Sequence, residues 1–251
     1  MSLNQKYAEL KLGIVCPMAN ERNTAERFIE EVLAVCAAFH FKSIQFYAVL
    51  DRVSTDGTLD ILKDMVQRCP SLKVIFAPEN RNVVDAYKRG YNEAISDGVD
   101  WVLEIDAGFS HDPKDIPKFF EAMAAGKYDC VFGSRFSRGG RFEKGAFKSR
   151  FISFGGTQLV NILLGTKLSD MTSGFELFKA SALAAILKRG ILSRGPFFQT
   201  EIKVFAHHFK ITEVPIIYSP TPHDHPESIM DAFKNLMRLC RERFKNIRTG
   251  K

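Results

Sequence analysis

Short apolar runs alternate with longer segments of helical periodicity through the first half of the chain. The runs are rich in β-branched or aromatic residues and predict buried strands at residues 12–16, 44–50, 73–77, 101–105 and 130–133. Between them, apolar residues recur at helical spacing in residues 24–38, 58–68, 83–96 and 116–124. This alternation predicts right-handed βαβ units, and therefore an α/β fold with a mostly parallel central sheet flanked by helices.

Beyond Gly140 the alternation becomes less regular. The pattern predicts an amphipathic or buried helix at 147–164, a strand at 175–179, a helix at 196–208 and a strand at 211–218. A last helix at 227–247 carries an apolar stripe of Ile229, Met230, Phe233, Met237, Cys240 and Phe244. We expect this stripe to dock on the protein's own core or on a second subunit, with an anionic membrane surface as the alternative.

Composition limits the class of protein without selecting a partner. The chain has 251 residues, 45% of them hydrophobic, which is enough to bury a substantial core. With no linker or repeat in view, we expect a single domain over residues 1–251. The net charge of +6 permits nucleic acid, phospholipid head groups or phosphorylated small molecules as partners.

The five cysteines are widely spaced and mostly lie in apolar runs, which favours reduced, buried thiols in a cytosolic protein over disulfides or a zinc site. No signal peptide or membrane-spanning run is evident, so we expect a soluble or peripheral protein.

Polar segments follow the first two predicted strands. In CPMANERN (16–23), Pro17 ends the strand, and Asn20 and Asn23 can satisfy backbone donors at the start of the next helix. In LDRVSTDGT (50–58), Asp56 and Gly57 predict a turn, and Asp56 or Thr58 can cap the following helix. Taken alone, both segments are ordinary turns and caps.

A third polar segment, EIDAGFSHDP (104–113), follows the apolar run at 101–103. Asp106 lies where the strand leaves its sheet. Open α/β sheets bind small molecules at the carboxyl ends of their strands, so this aspartate is a candidate ligand-binding residue.

The segment FGSRFSRGGRFEKGAFKSR (132–150) is strongly basic and follows another predicted strand. A basic loop is usually a solvated surface. Its position at the carboxyl edge of the sheet favours phosphate binding instead, since guanidinium groups make bidentate contacts with phosphate.

These segments together resemble family 2 glycosyltransferases. Their order matches the family's P-x-Y-N-E, D-D-x-S-x-D-G-T, DADLSHDP and G-S-R-Y segments, and the match continues to about Tyr218. LSDMTSGFELF (168–178) and GPFFQTEIKVF (195–205) resemble the D-x-T-S-G-F-R-x-Y and F-Q-x-E segments of the polyprenyl-phosphate branch. The resemblance implies a Rossmann-like GT-A fold, with a nucleotide-sugar-binding half at about 1–133 and an acceptor-side half at about 134–251.

The resemblance also implies donor-binding residues and a divalent metal, Mg²⁺ or Mn²⁺. The implied donor contacts are Pro17, Ala19, Asn20, Glu21, Asp51, Arg52 and Asp106. Ala19 replaces the family's aromatic residue, and Arg52 and Gly108 each replace a carboxylate. Asp106 is the implied metal ligand, with Ser110, His111 or Asp112 nearby; because Gly108 is not a ligand, we expect weak metal binding.

Acceptor-side and catalytic residues follow from the same resemblance. Asp106 and Arg135 are the implied catalytic residues, and the implied phosphate or acceptor contacts are Arg135, Arg138, Ser173, Gln199 and Glu201. Glu176 replaces an arginine, and HDHPES (223–228) replaces the family's basic G-x-S-K stretch. By contrast, Ala86 and Gly90 in the helix at 83–96 are expected to serve close packing rather than chemistry.

The implied reaction is inverting transfer of a sugar from a GDP- or UDP-sugar to an acceptor, for which a polyprenyl phosphate is the preferred candidate. Two alternatives stay open: transfer to a soluble or glycan acceptor, and a non-catalytic relative that binds nucleotide sugars. Nucleic acid is disfavoured because no nucleic-acid-binding module is recognised. We expect a cytoplasmic protein, with contact at an anionic membrane surface and homo-oligomer formation as open alternatives.

Overall fold

The computed structural model describes residues 6–143, 147–220 and 228–249. Seven strands form one sheet in the order β3-β2-β1-β4-β7-β5-β8. They are β1 (Lys11–Pro17), β2 (Ser43–Leu50), β3 (Leu72–Phe76), β4 (Trp101–Glu104), β5 (Cys130–Ser134), β7 (Glu176–Lys179) and β8 (Ile211–Pro215). A second, two-stranded sheet pairs β6 (Arg141–Phe142) with β9 (Ile217–Tyr218).

Eight α-helices of at least nine residues lie in the part of the chain that the structure describes. They are α1 (Ala25–Ala37), α2 (Thr58–Val66), α3 (Val83–Ser96), α4 (Ile116–Ala124), α5 (Phe147–Leu164), α6 (Ala180–Lys188), α7 (Phe198–Ala206) and α8 (Ile229–Thr249). The predicted elements of the first half all form. The structure adds β6 and α6, which were not predicted, and divides the strand predicted at 211–218 between the two sheets.

The direction in which successive strands are added to the sheet reverses after β3, so that β1 and β4 become neighbours. The chain first moves outward through β1, β2 and β3, and then returns across the sheet to place β4 on the other side of β1. Because parallel crossovers are right-handed, the reversal moves α3 to the face opposite α1 and α2. The two hydrophobic cores reflect this, since Phe28 of α1 lies in one and Tyr87 of α3 in the other. The ends of β1 and β4 therefore form a topological switch point, where such sheets bind ligands.

Close packing of α3 on the sheet depends on Gly90. A Cβ at this position would lie 2.4 Å from Val15 Cγ1 and 3.1 Å from Val49 Cγ2. The packing role expected for this part of α3 is therefore confirmed. The sheet also contains one strand, β7, that runs antiparallel to both of its neighbours, β4 and β5.

All five cysteines are free thiols, and four of them are buried. No helix among the described residues is long and apolar enough to cross a membrane. In α8, Leu236, Leu239 and Cys240 pack into the core, so the helix docks on the protein itself. The buried side differs from the predicted stripe, because Met230 and Phe233 are 61% and 52% exposed. Residues 223–227 of the HDHPES segment and the side chains of Ile229 and Phe244 lie outside what the structure describes.

Candidate active site

The loops that follow β1 and β2 are joined by Asn20. Its backbone adopts a left-handed conformation, with φ at 59°. Its side-chain amide donates to the Val53 carbonyl at 3.3 Å, while its carbonyl oxygen accepts from the Thr55 N–H at 3.0 Å. Asn20 thus holds two loops together at the carboxyl edge of the sheet, rather than satisfying the start of α1 as its sequence position suggests.

Asp56 and Thr58 strengthen this connection. Asp56 accepts from the Arg22 N–H at 2.8 Å and from the Thr58 N–H at 3.0 Å, so it links the first loop to the first residue of α2. The Glu21 N–H donates to Thr58 Oγ1 at 2.8 Å. These three hydrogen bonds order the backbone of both loops, while the side chains of Ala19 and Arg52 stay exposed to solvent.

Asp51 and Asp106 lie at the same edge of the sheet. Asp51 directly follows β2, and Asp106 comes two residues after β4; both strands run parallel to β1, which lies between them. Neighbouring strands are roughly 4.8 Å apart, so the two strand ends are separated by roughly 10 Å. Asp51 accepts from the Val53 N–H at 2.8 Å. The shared edge was predicted from the alternation of strands and helices.

The carboxylate of Asp106 is positioned by residues from three segments. The Tyr87 hydroxyl, from α3, donates to one of its oxygens. His111 Nδ1 is 3.6 Å from the other oxygen, and a Cβ on Gly174 would lie 3.4 Å from that same oxygen. Even so, the Asp106 side chain stays 44% exposed, so it is both held in place and accessible to a ligand.

The imidazole next to Asp106 is neutral. His111 is buried, and its burial, assisted by the nearby Arg135 cation, lowers the pKa of His111 to about 3. At neutral pH the contact between His111 and Asp106 is therefore not an ion pair. The buried Nδ1 has no hydrogen-bond partner within the described residues.

A buried carboxylate, Glu104, is the last residue of β4 and lies two residues before Asp106. Glu104 is fully buried and accepts hydrogen bonds from the Tyr91 hydroxyl and the Gln199 amide. Burial and the nearby Glu176 raise the pKa of Glu104 well above its usual range. A Cβ on Gly174 would lie 2.8 Å from the Gln199 amide nitrogen, so Gln199 lies between the buried Glu104 and the segment that borders Asp106.

Glu176 and Lys203 form a second buried pair. Glu176 is directly opposite Glu104 in the pairing of β4 with β7, and neither side chain is exposed. Lys203 Nζ is 2.5 Å from a Glu176 oxygen but directs its hydrogen bond to the Ser173 carbonyl. Burial raises the pKa of Glu176 to about 7, although the Lys203 ammonium opposes the change. Ser173 is also buried, and its backbone carbonyl accepts the hydrogen bond from Lys203.

Arg135 is not the exposed loop arginine that the sequence suggests. It is 7% exposed, and its guanidinium group makes a bidentate contact with Asp170 at 2.7 and 2.8 Å. A further bond joins it to Thr172 Oγ1 at 2.6 Å. Burial alone would raise the pKa of Asp170, but the Arg135 guanidinium lowers it to about 2. Arg135 therefore stabilises the folded core instead of lying on a solvated surface.

Arg138 and Glu201 differ in their access to a ligand. Arg138 is exposed in the loop after β5. Glu201 is fully buried, accepts from the Ser193 N–H at 2.9 Å and pairs with Arg238 of α8 at 2.8 Å. Glu201 therefore connects α7 to α8, and this placement does not support its assignment as an acceptor contact.

Comparison with known proteins identifies the family. The sequence profile described as Glycosyl transferase family 2 matches residues 13–187, well over half of the chain. The chain belongs to glycosyl transferase family 2. It is a glycosyltransferase, as the order of its motifs predicted.

Two relatives of this glycosyltransferase have names that specify mannose and a polyprenyl lipid. It is 32% identical to the undecaprenyl-phosphate mannosyltransferase of Micrococcus luteus over 68% of this chain and 70% of that protein. It is 25% identical to the polyprenol monophosphomannose synthase of Mycolicibacterium smegmatis over 82% of this chain and 76% of that protein.

A solved structure supports the GT-A fold. Glucosyl-3-phosphoglycerate synthase from Mycobacterium tuberculosis, in complex with Mn²⁺, UDP and phosphoglyceric acid, superposes with a TM-score of 0.65 at 14% identity. The match covers 95% of this chain and 81% of that chain. At this identity the likeness concerns the fold alone.

The site of the glycosyltransferase provides only some of the ligands that a divalent metal needs. Asp106 provides an accessible carboxylate, and Glu21 places a second one beside Gly108, where an added Cβ would lie 2.9 Å from Glu21 Oε1. Within the described residues, no group of three or more His, Cys, Asp or Glu side chains could hold a metal ion. A complete shell of hard oxygen ligands would thus require oxygens from a bound diphosphate.

Several residues that support the site were not singled out from sequence. Tyr87 and Tyr91 are four residues apart on α3, which places both hydroxyl groups on the side that faces β4. Glu104 is the one charged residue of the apolar strand β4, and Lys203 lies between Ile202 and Val204 in α7. Charged residues are rarely buried without partners. A charged residue between apolar neighbours was therefore the sequence feature that could have identified Glu104 and Lys203.

Proposed function

We propose that this glycosyltransferase transfers a sugar, with inversion, from a nucleoside diphosphate donor to a polyprenyl phosphate. The observation that supports the acceptor most directly is the match to two lipid-phosphate mannosyltransferases, each over more than two thirds of this chain. The placement of Asp51 and Asp106 at one sheet edge supports the donor site, because a single extended nucleotide diphosphate can reach both strand ends.

In this proposal the nucleotide lies across the loops joined by Asn20. Pro17, Ala19 and Asn20 of the loop after β1 would border the base and ribose. Asp51 and Arg52 of the loop after β2 would contact the nucleotide from the other loop. The links between these loops order them before the donor arrives, which reduces the entropy lost on binding. Arg52, which replaces a carboxylate, would face the negative charge of the diphosphate.

Asp106 and Glu21 would hold the metal together with oxygens of the donor. When bound there, a divalent cation would neutralise charge on the leaving diphosphate. Because the protein contributes few ligands, we expect weak metal binding by the free protein and tighter binding when nucleotide is present. Tyr87 holds the Asp106 carboxylate in a fixed orientation for this role.

The acceptor side requires phosphate recognition more than proton removal. A phosphate monoester is already ionised at neutral pH and needs no general base to attack the sugar. This agrees with the neutral, buried His111, which is poorly suited to accept a proton. Arg138 is the exposed cation proposed to contact the acceptor phosphate, and Arg135 would contribute positive charge while it orders the loop.

A transfer assay tests the proposal. Purified protein would be incubated with GDP-, UDP- or dTDP-sugars, Mn²⁺ and a polyprenyl phosphate, and the glycolipid product would be followed by mass spectrometry. We expect product from one donor class and none from the Asp106→Asn variant. Sugar transfer only to a soluble acceptor, with none to polyprenyl phosphate, would contradict the proposed acceptor.

A further inference from the structure

Helix α5 exposes an unusual amount of apolar surface. Phe147, Phe151 and Ile162 are 80%, 81% and 77% exposed. Three further residues, Ile152, Phe154 and Leu159, are each between 45% and 49% exposed. We call these six side chains the α5 apolar face. Soluble proteins rarely leave so many large apolar side chains together in water.

The face is one side of a helix whose other side is already in the core. Thr157, Val160 and Leu164 are buried, at spacings of three and four residues, and attach the helix to the protein. Phe147, Phe151 and Phe154 follow the same spacing on a different side. The apolar face is thus not needed for folding of the helix onto the protein, and it is directed outward.

The residues around the face are basic. From Phe147 to Ser169 the sequence contains Lys148, Arg150 and Lys167, and it contains no acidic residue. Lys148 and Arg150 are exposed within α5 itself. An apolar face bordered by lysine and arginine is complementary to an anionic lipid surface, where acyl chains accept the apolar groups and head groups accept the cations.

The face also adjoins the proposed phosphate-binding loop. The ring of Phe154 packs against Phe136 with the ring centroids 5.6 Å apart. Phe136 directly follows Arg135 in the chain, and Arg138 is two residues further on. A surface that touched the α5 apolar face would therefore lie close to the loop that is proposed to receive the acceptor phosphate.

We propose that the α5 apolar face docks the protein on an anionic phospholipid bilayer. The inference rests on the proposed function, since an acceptor phosphate carried on a lipid lies at such a surface. The sequence pattern predicted membrane contact by α8 only as the alternative to docking on the core, and Leu236, Leu239 and Cys240 of α8 are buried in the core. A second copy of the chain is the competing occupant.

Vesicle sedimentation with a matched pair of variants tests the proposal. Phe151→Ser with Ile162→Ser removes two residues of the face. Val66→Ser with Phe76→Ser removes two other exposed apolar residues, which lie in α2 and in the edge strand β3. The probes are vesicles of phosphatidylcholine with and without phosphatidylglycerol. We expect the wild type and the second variant to bind the anionic vesicles, and the first variant to bind at least about tenfold more weakly.

Transfer to a short, water-soluble isoprenyl phosphate separates the surface from the reaction. We expect the α5 variant to retain this transfer and its melting temperature while vesicle binding falls. Equal vesicle binding by all three proteins would overturn the docking surface and leave the proposed function standing. The α5 variant could instead lose vesicle binding while the wild type transfers sugar to no polyprenyl phosphate. That result would overturn the proposed function and support the α5 apolar face as the docking surface.

Light scattering of the free proteins distinguishes the competing occupant. We expect the wild type and both variants to have the same oligomeric state. A wild-type dimer that the α5 substitutions convert to a monomer, with vesicle binding unaffected, would show that the face joins two copies of the chain and would overturn the proposal.

Discussion

The carboxylate of Glu21 occupies the space beside Gly108. A Cβ at Gly108 would lie 2.9 Å from one Glu21 oxygen and 3.2 Å from the other, and the glycine has a left-handed backbone with φ at 77°. The position that lacks the family's second aspartate is therefore next to a carboxylate supplied by another loop. Any side chain at Gly108 would meet both backbone strain and Glu21.

The first prediction is that Gly108→Asp lowers the stability of the protein and raises its affinity for metal. We expect a loss of about 1–3 kcal/mol in the free energy of unfolding, because of the left-handed backbone and the repulsion from Glu21. Mn²⁺ should bind the variant more tightly than the wild type, since a third carboxylate joins Asp106 and Glu21. Calorimetry measures the affinity, and thermal unfolding with and without Mn²⁺ measures the stability.

Gly108→Ala and Gly126→Ala provide the control for crowding. Gly126 also has a left-handed backbone, with φ at 69°, but nothing lies within 4 Å of an added Cβ. We expect Gly108→Ala to be the more destabilising of the two. Equal losses of stability would show that Glu21 does not crowd this position, and tight Mn²⁺ binding by the wild type that survives Asp106→Ala would exclude the proposed metal site.

The second prediction is that Arg135→Ala is strongly destabilising. The substitution leaves the fully buried Asp170 carboxylate without its cation, a loss of about 3–5 kcal/mol for a pair of this kind. Arg138→Ala should leave the melting temperature nearly unchanged and weaken the binding of donor or acceptor phosphate. Thermal unfolding and binding titrations measure the two effects. A stable Arg135→Ala protein with impaired ligand binding would instead support direct phosphate contact.

The third prediction concerns the hydroxyl group that orients Asp106. Tyr87→Phe removes the hydrogen bond to this carboxylate and keeps the ring in the core. A hydrogen bond to a charged group contributes about 1.5–3 kcal/mol, so we expect kcat/KM to fall by roughly tenfold or more. Tyr91→Phe is the matched control, because its hydroxyl donates to Glu104 and not to Asp106. Equal activity losses in the two variants would argue against specific positioning of Asp106 by Tyr87.

The fourth prediction concerns stability above pH about 6.5. Glu104 and Glu176 both have a raised pKa in the folded protein, that of Glu176 being about 7 against 4.5 ordinarily. The folded state therefore binds more protons than the unfolded state, and its stability must fall as pH rises through about 7. The slope is up to about 1.4 kcal/mol per pH unit for each proton involved.

His111 acts in the opposite direction but at lower pH. Its pKa is lowered from 6.5 to about 3, so the stability it contributes is present above pH 6.5 and is lost as pH falls toward 3. Urea unfolding above pH about 6.5 thus isolates the two carboxylates. Glu104→Gln should flatten the slope, whereas Glu79→Gln, at an exposed surface ion pair, should not. An unchanged slope in Glu104→Gln would contradict the prediction.

Local patterns were sufficient to predict the position of Asp106. Hydrophobic periodicity identifies β4, and parallel strands present their carboxyl ends at one edge, so the residues that follow β2 and β4 can be placed together without coordinates. The packing role of Gly90 follows from the same kind of pattern, because a small residue on a helix permits close approach to a sheet.

The tertiary structure decided which polar residues are buried and which apolar residues are not. Arg135 resembles a solvated loop residue until Asp170, 35 residues further along, is placed against it. Glu104 and Glu176 become neighbours only because β7 enters the sheet antiparallel beside β4. The same limit applies to α5, since its sequence is apolar on most sides and only the packing of the whole chain determines which side stays in water. Periodicity reports the faces of an element, whereas the partner of each face depends on contacts between residues that are distant in sequence.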